Sequence, residues 1–574
     1  MTFRVWFLPG VITGGDLWYY FPSMFDNHQF YPSDWAFFSG NGFGGTAIPF
    51  MAVSFFMSIP FFFGKAFGIS WEILQRVFIL FPFLIAVSVF PYLFLKKLFP
   101  NNLFVVISSL IFSFNSYILM LVSGGLVVIG IAYCLIPLGF LFTIKILDHK
   151  GDKRQLISNI FSLGIIFGIQ SVLDVRVTYM TFVGISIFFI SRLLIEKNFL
   201  EFFKNAVSIF IVPLLIAGLI NAFWLLPALT FGSNALDQLG ENYTTVESVR
   251  FFSFAKFENT ISLLHPNWPE NIFGKTYFQR PEFLIFTFFA FISLLFVNKN
   301  NRKIVLPFVI MGVLASFLAK GSSDPFGGIY IFLFENIPGF VFFRDPTKWY
   351  MLIALSFSVL IPFSIFKLYS KYKKVGWLVP VFFAIYFLIT ILPALSGKLP
   401  GTFKTSNVPS EYVSFEEFMS QQDPGRILWV PSPSRFSYFS QVHPAVSGNK
   451  YFDMNDPSEV AQNLSSEAID ILGQRGVSYV AVPYDSRGEI FLKDRVYDEK
   501  EYIKTIEILD SNTELKRIDG LGNLRLYSIE DSDVSSVLPK ENIGRPQTTN
   551  LAAAVSLVAF ILSIITVIAL KLKR

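Results

Sequence analysis

Runs of apolar residues long enough to cross a bilayer recur along this chain, and they constrain its fold more than any other feature. A helix needs roughly 20 consecutive apolar residues to span the hydrocarbon core. Such runs lie near 74–95, 102–122, 124–146, 156–172, 177–195, 207–229, 282–298, 304–319, 349–367, 375–396 and 549–570. A further apolar run, 47–66, carries Pro49, Pro60 and Gly64. Composition agrees. Only 15% of residues are charged, against about 25% in soluble domains. Mean hydropathy is +0.54, and 71 of the 574 residues are Phe.

Basic residues set the expected orientation, because cytoplasmic loops carry the excess of Lys and Arg. They cluster at Lys96–Lys97, 150–154, 192–204, 299–303, 367–374 and the terminal KLKR. All six clusters fall on one side if 47–66 does not cross. That run therefore reads as an interfacial or re-entrant helix at the outer surface. The expected class is mainly α. A polytopic helical membrane body of about eleven spans plus an interfacial helix carries a C-terminal extracytoplasmic α/β or α+β domain and one closing span. The expected divisions are an outer first loop 1–73, a body 74–396 with outer loops 230–281 and 320–348, an outer domain 397–548, and the closing span 549–574. Parity leaves the start outside, so Met1–Phe7 reads as the outer end of a preceding span. MTFRVWFLPG has too short an apolar stretch for a signal peptide.

Within 397–548, residues 427–433, 477–484 and 524–530 read as strands from their β-branched and aromatic content. Residues 465–476 read as a helix closed by Gly476. The one cysteine, Cys134, lies in an apolar run, so no intrachain disulfide or thiolate cluster forms. Four histidines make a multi-histidine zinc site an unattractive reading. The net charge of +5 is scattered in short loops, which speaks against a nucleic-acid partner.

Three groups of charges stand at the outer ends of spans. Asp16 follows Gly14–Gly15; it suits a general base for an acceptor hydroxyl, or a carboxylate capping the segment that begins at Leu17. Asp174 and Arg176 occupy a very short turn between two apolar helices. Charges at that depth face a cavity or a partner. Asp174 could assist catalysis, and Arg176 could hold a donor phosphate; a mutual ion pair closing the hairpin is the alternative. Arg344, Asp345 and Lys348 precede a late span. Their cations suit a phosphate at membrane level, or anchor the interface with Trp349 and Tyr350. His28 is a further loop candidate. His265, Tyr277 and Arg280 lie in a loop that could cover a site or simply pack against the body. A divalent cation (Mg, Mn or Ca) between Asp16 and Asp174 is compatible with the sequence and not required by it.

The segment G-G-D-x-x-Y-x-F-P at 14–22, followed by F-Y-P-S-D-W at 30–35 and F-G-G-x-x-I-P at 43–49, resembles the first external loop of GT-C glycosyltransferases. It is most similar to YfhO-like membrane proteins and large arabinofuranosyltransferases. P-F-G-G-I-Y-x-F-L-F-E-N-I-P-G-F-x-x-F-R-D-P-T-K-W at 325–349 resembles the segment before a late span in those families. The resemblance implies a sugar donor on a polyprenyl phosphate, an acceptor that is a glycan, lipid or protein, and Asp16 as base, in an integral protein of the cell membrane.

Walker A, dinucleotide-binding, zinc-protease and nucleophile-elbow motifs are absent from the sequence. That leaves three expectations: membrane glycosyl transfer, a lipid or glycolipid transporter or flippase, and a non-catalytic envelope-assembly scaffold. A transporter needs ionisable groups or broken helices near mid-membrane, whereas the charges here gather at one face.

Overall fold

The computed structural model describes the chain except residues 28–34, 198, 231–244, 269–279, 373–374, 485–497, 531, 538–546 and 573–574. Among the described residues, eight helices are long and apolar enough to cross a membrane: Trp71–Leu98, Val127–Leu147, Lys153–Leu173, Val175–Glu196, Phe203–Ile220, Arg302–Ala319, Pro346–Lys371 and Asn550–Leu572. A further apolar pair of helices is broken and makes a ninth crossing if the two halves are one span. Asn102–Ser113 and Ser116–Ser123 meet at 44°. The break is chemical: Asn115 leaves the helical conformation and its side chain accepts from the Ile118 N–H, capping the second half.

Two expected spans come out short. The run 282–298 folds as Pro281–Phe296 with a tight 3-10 final stretch, and 375–396 yields the helix Leu378–Thr390 and a separate turn, Leu392–Leu395. Pro393 stands in the first turn of Leu392–Leu395 and has no N–H to continue the bonding of the helix before it. The run 47–66 forms the helix Met51–Phe67, closed by Gly68 in the left-handed conformation. Many outward-facing residues of the body, among them Ile85, Leu215 and Leu295, stay exposed; lipid is the solvent that such a surface fits.

Ion pairs identify the two ends of the bundle. Arg192 pairs with Asp148 at 2.6 Å and with Glu196 at 2.9 Å, and Lys303 reaches Glu196 at 2.9 Å. Three of the basic loops thus meet at one end, as the charge pattern requires. At the other end, the turn at 123–125, the cap at Asp174, the approach to Pro346–Lys371 and the base of the C-terminal domain converge.

That domain is built on a five-stranded sheet. The strand order is Ala445–Ser447, Arg426–Trp429, Val477–Val482, Arg525–Ile529, Leu515–Ile518, with the first three parallel and the last two joined antiparallel. Side chains alternate across it. Leu428, Val480 and Tyr527 bury one face under the helices Pro457–Gln462, Ser466–Gln474 and Glu499–Asp510. Ile427, Trp429 and Leu526 bury the other with Phe415 of the helix Ser410–Met419, and with Phe21 and Met24 of the first loop.

The first loop is therefore not a free cover. Val11–Ile12 pairs antiparallel with Thr405–Ser406. The Tyr19 N–H donates to the Arg435 carbonyl at 3.0 Å, and the Asn27 amide bonds both Phe439 and Gln441. Trp35–Ala36 and Gly45–Thr46 form a hairpin. Its Asn41 exchanges two hydrogen bonds with Ser447 of the edge strand. The glycines at 40–45 thus dock a hairpin on the sheet edge. At Gly42, a Cβ would stand 2.2 Å from the Ala445 carbonyl oxygen.

Candidate functional site

Asp16 sits where three backbone segments touch. Its N–H donates to the Gly124 carbonyl at 3.1 Å, while Gly14 and Leu17 close a small bridge around it. Glycine makes the contact feasible. A Cβ on Gly125 would lie 2.0 Å from the Gly14 carbonyl oxygen, and one on Gly401 would lie 1.8 Å from the Ser123 carbonyl oxygen. The third segment, 400–406, is fixed by side chains. Thr402 Oγ donates to the Val122 carbonyl, Ser123 Oγ to the Pro400 carbonyl, and Trp6 Nε1 to the Thr402 carbonyl. Arg76 completes the wall by donating to the carbonyls of Trp6, Leu8 and Gly10.

The Asp16 side chain is exposed to solvent yet enclosed by protein on most sides, as a group lining a concavity is. Burial pushes its pKa above the ordinary carboxylate value; Lys348 and Arg176 pull the other way and do not prevail. Both cations therefore lie within electrostatic reach of Asp16.

Asp174 caps the helix Val175–Glu196, accepting from the N–H groups of Arg176 and Val177. Its carboxylate also holds the Arg176 guanidinium, with Nη2 at 2.6 Å. Burial alone would raise the Asp174 pKa, but Arg176 beside it, with Lys348, holds it below the ordinary value. The mutual pair expected from sequence is thus present, and it leaves Arg176 a quarter exposed.

Lys348 is buried and bonds Asp345 at 2.7 Å; Asp345 also accepts from the Thr347 N–H and hydroxyl. Burial pushes the Asp345 carboxyl up, and Lys348 and Thr347 more than reverse it. Arg344 turns elsewhere, its guanidinium 5.0 Å from the centre of the Phe252 ring.

Between these groups stand aromatic side chains, of which Tyr117 was not singled out by the sequence. Tyr117 stacks on Tyr350 at 5.5 Å with the rings 2° from parallel, and His265 lies 5.8 Å from each. His265 is buried, and burial pushes its pKa down to about 4. The Asn267 N–H donates to its Nδ1. The His265 Nδ1 is thus engaged as an acceptor, and the ring sits within the aromatic cluster. Arg280 pairs with Glu282 at 2.8 Å beside Phe283, at the head of another helix. His28 and Tyr277 lie outside the described residues.

The structure thus brings Asp16, Asp174, Arg176, Asp345 and Lys348 to one end of the bundle, while Arg280 is engaged with Glu282. Both Asp174 oxygens are engaged by Arg176, and no group of three His, Cys, Asp or Glu side chains able to hold a metal occurs among the described residues. Sequence could have flagged Gly125 and Gly401 only as turn residues, because their partners are more than a hundred residues away.

No protein-family model matches the chain, and no curated protein matches it. Among solved structures it is similar to arabinofuranosyltransferase AftD from Mycobacteria, with TM-score 0.55 and 12% sequence identity over 92% of this chain and 41% of that one. At that identity the likeness speaks for the fold. The chain spans less than half the length of that neighbour. The likeness falls on the arabinofuranosyltransferase side of the sequence resemblance and gives no separate support for YfhO-like proteins.

Proposed function

We propose that this chain is a membrane glycosyltransferase. It moves a sugar from a polyprenyl-phosphate donor to a hydroxyl of a glycan, lipid or protein acceptor at the extracytoplasmic face. One arrangement carries the reading: Asp16 is an exposed carboxylate whose charged neighbours are two cations, Arg176 and Lys348, each held by its own aspartate. The fold shared with an arabinofuranosyltransferase supports it.

The chemistry follows from that pairing. Asp16 takes the proton of the acceptor hydroxyl, and its raised pKa makes it a stronger base than an ordinary carboxylate. The hydroxyl oxygen bonds to the anomeric carbon as the bond from that carbon to the phosphate oxygen breaks. The electron pair leaves with the lipid phosphate. Arg176, held in place by Asp174, and Lys348, held by Asp345, face the charge that develops there; stabilising such charge is commonly the largest catalytic contribution. Arg344, stacked on Phe252, is a candidate for the outer part of the donor headgroup. No step runs through a metal.

Membranes holding the native chain test the donor class. Labelled sugar on a polyprenyl phosphate is expected to reach endogenous acceptor, undiminished by a chelator, whereas the same sugar on a nucleotide is not transferred. Transfer from the nucleotide alone would refute the lipid donor, and loss of transfer on chelation would refute the metal-free chemistry.

A further inference from the structure

The base of the C-terminal domain belongs to the catalytic wall. We infer that residues 400–406 are a positioning element for Asp16, with Gly401 as its central positioning residue; the inference rests on the reading of Asp16 as the base. The segment enters from the domain side and makes two kinds of contact. Thr405–Ser406 pairs with Val11–Ile12, a few residues before Asp16. Pro400, Gly401 and Thr402 lie against the 122–123 backbone through two side-chain hydrogen bonds. Asp16 in turn hangs from Gly124, one residue further on, by its own N–H.

Close approach locks the three segments together. Gly14 faces the Gly401 backbone, where a Cβ would stand 2.8 Å from the Gly401 Cα. Gly401 faces Ser123, and Gly125 faces Gly14. The contacts form a closed ring with no side chain between the backbones. A methyl group at Gly401 must therefore displace the 123–125 turn or the Gly14–Asp16 loop. Either movement shifts the Asp16 carboxylate, and a displacement of about 1 Å can cost about 10²-fold in rate. The ring also gives the outer domain a mechanical path to the base: anything that shifts residues 405–406 moves both strands of the Asp16 loop's anchor.

The experiment compares Gly401→Ala with Gly68→Ala. Gly68 has nearly the same positive φ, 63° against 64°, but nothing within 4 Å of its would-be Cβ. The cost of a side chain at positive φ is thus common to both, and the close contact is specific to Gly401. Two readouts are taken in purified protein: sugar transfer, and the pH midpoint at which carbodiimide labels the Asp16 carboxyl, read by mass spectrometry. Gly401→Ala is expected to lower kcat about 10²-fold with little change in donor KM, and to move the Asp16 midpoint down toward the ordinary carboxylate value as burial relaxes. Gly68→Ala is expected to match the native chain in both. If the Gly401→Ala protein fails to fold, Thr402→Val removes only the hydroxyl bond to Val122 and is expected to move the midpoint in the same direction by less. An unchanged Asp16 midpoint in the folded variant overturns the inference. A shifted midpoint in a chain that transfers no sugar supports the positioning role and removes the glycosyltransferase reading instead.

Discussion

A carboxylate whose pKa rises on folding binds its proton more tightly in the native chain than in the unfolded one. Stability then falls as pH climbs from the unfolded pKa through the folded one. Asp16 is in this position, its pKa raised by burial despite Lys348 and Arg176. Ionised at neutral pH, it weakens the fold that holds it, as functional carboxylates commonly do. Asp16→Asn is therefore expected to raise the thermal midpoint of the detergent-solubilised protein at neutral pH, and to leave it nearly unchanged in strong acid, where both states are protonated. A lower midpoint at neutral pH would mean that the charge is stabilised, not strained. Sequence made Asp16 visible because it follows two glycines at the end of an apolar stretch. Gly125 and Gly401 stayed invisible for a physical reason: a close approach between distant backbones leaves no local mark beyond the glycine itself.

Hydropathy located most of the long apolar helices to within a few residues, because the bilayer imposes length and composition directly on the sequence; the run 207–229 instead divides into Phe203–Ile220 and Ala222–Thr230. Shape was harder to read. The run 102–122 is apolar throughout, yet the chain breaks at Asn115, whose amide caps one half, donates to the carbonyls of Ile111 and Phe112, and meets the Tyr133 hydroxyl. The second half ends at Ser123, directly beneath the Asp16 loop. Asn115→Ala is expected to destabilise the protein by about 1 kcal/mol through the lost cap, read as a lower melting midpoint in detergent. An unchanged midpoint would show that the break is held by packing alone. In the sheet domain the three central strands were legible from their β-branched and aromatic content, while Ala445–Ser447 and Leu515–Ile518 were not. Those two sit at the edges of the sheet, where short strands need less apolar sequence.

At the scale of the whole molecule, the two ends of the bundle carry different chemistry. One gathers the basic loops around Arg192, Glu196 and Lys303; the other gathers Asp16, Asp174, Lys348 and the sheet domain. If the basic end follows the positive-inside tendency, the sheet domain lies outside the cell. With Cys134, the single native cysteine, replaced by alanine, a cysteine introduced at Gln421 is expected to react with an impermeant maleimide on intact cells, and one at Lys153 only after permeabilisation. The reverse pattern would invert the orientation. Sequence could not show that the first loop and the outer domain share a core, since Phe21 and Phe415 lie hundreds of residues apart. The central claim remains the role of Asp16, and the rate of sugar transfer from polyprenyl phosphate as a function of pH, in the native chain and in Asp16→Asn, tests it most directly. The native rate is expected to climb with pH along a limb set by a carboxylate above its ordinary value, while the Asn variant stays flat and about 10²–10⁴-fold lower. A folded Asn variant with the native rate and the same pH limb would contradict the account.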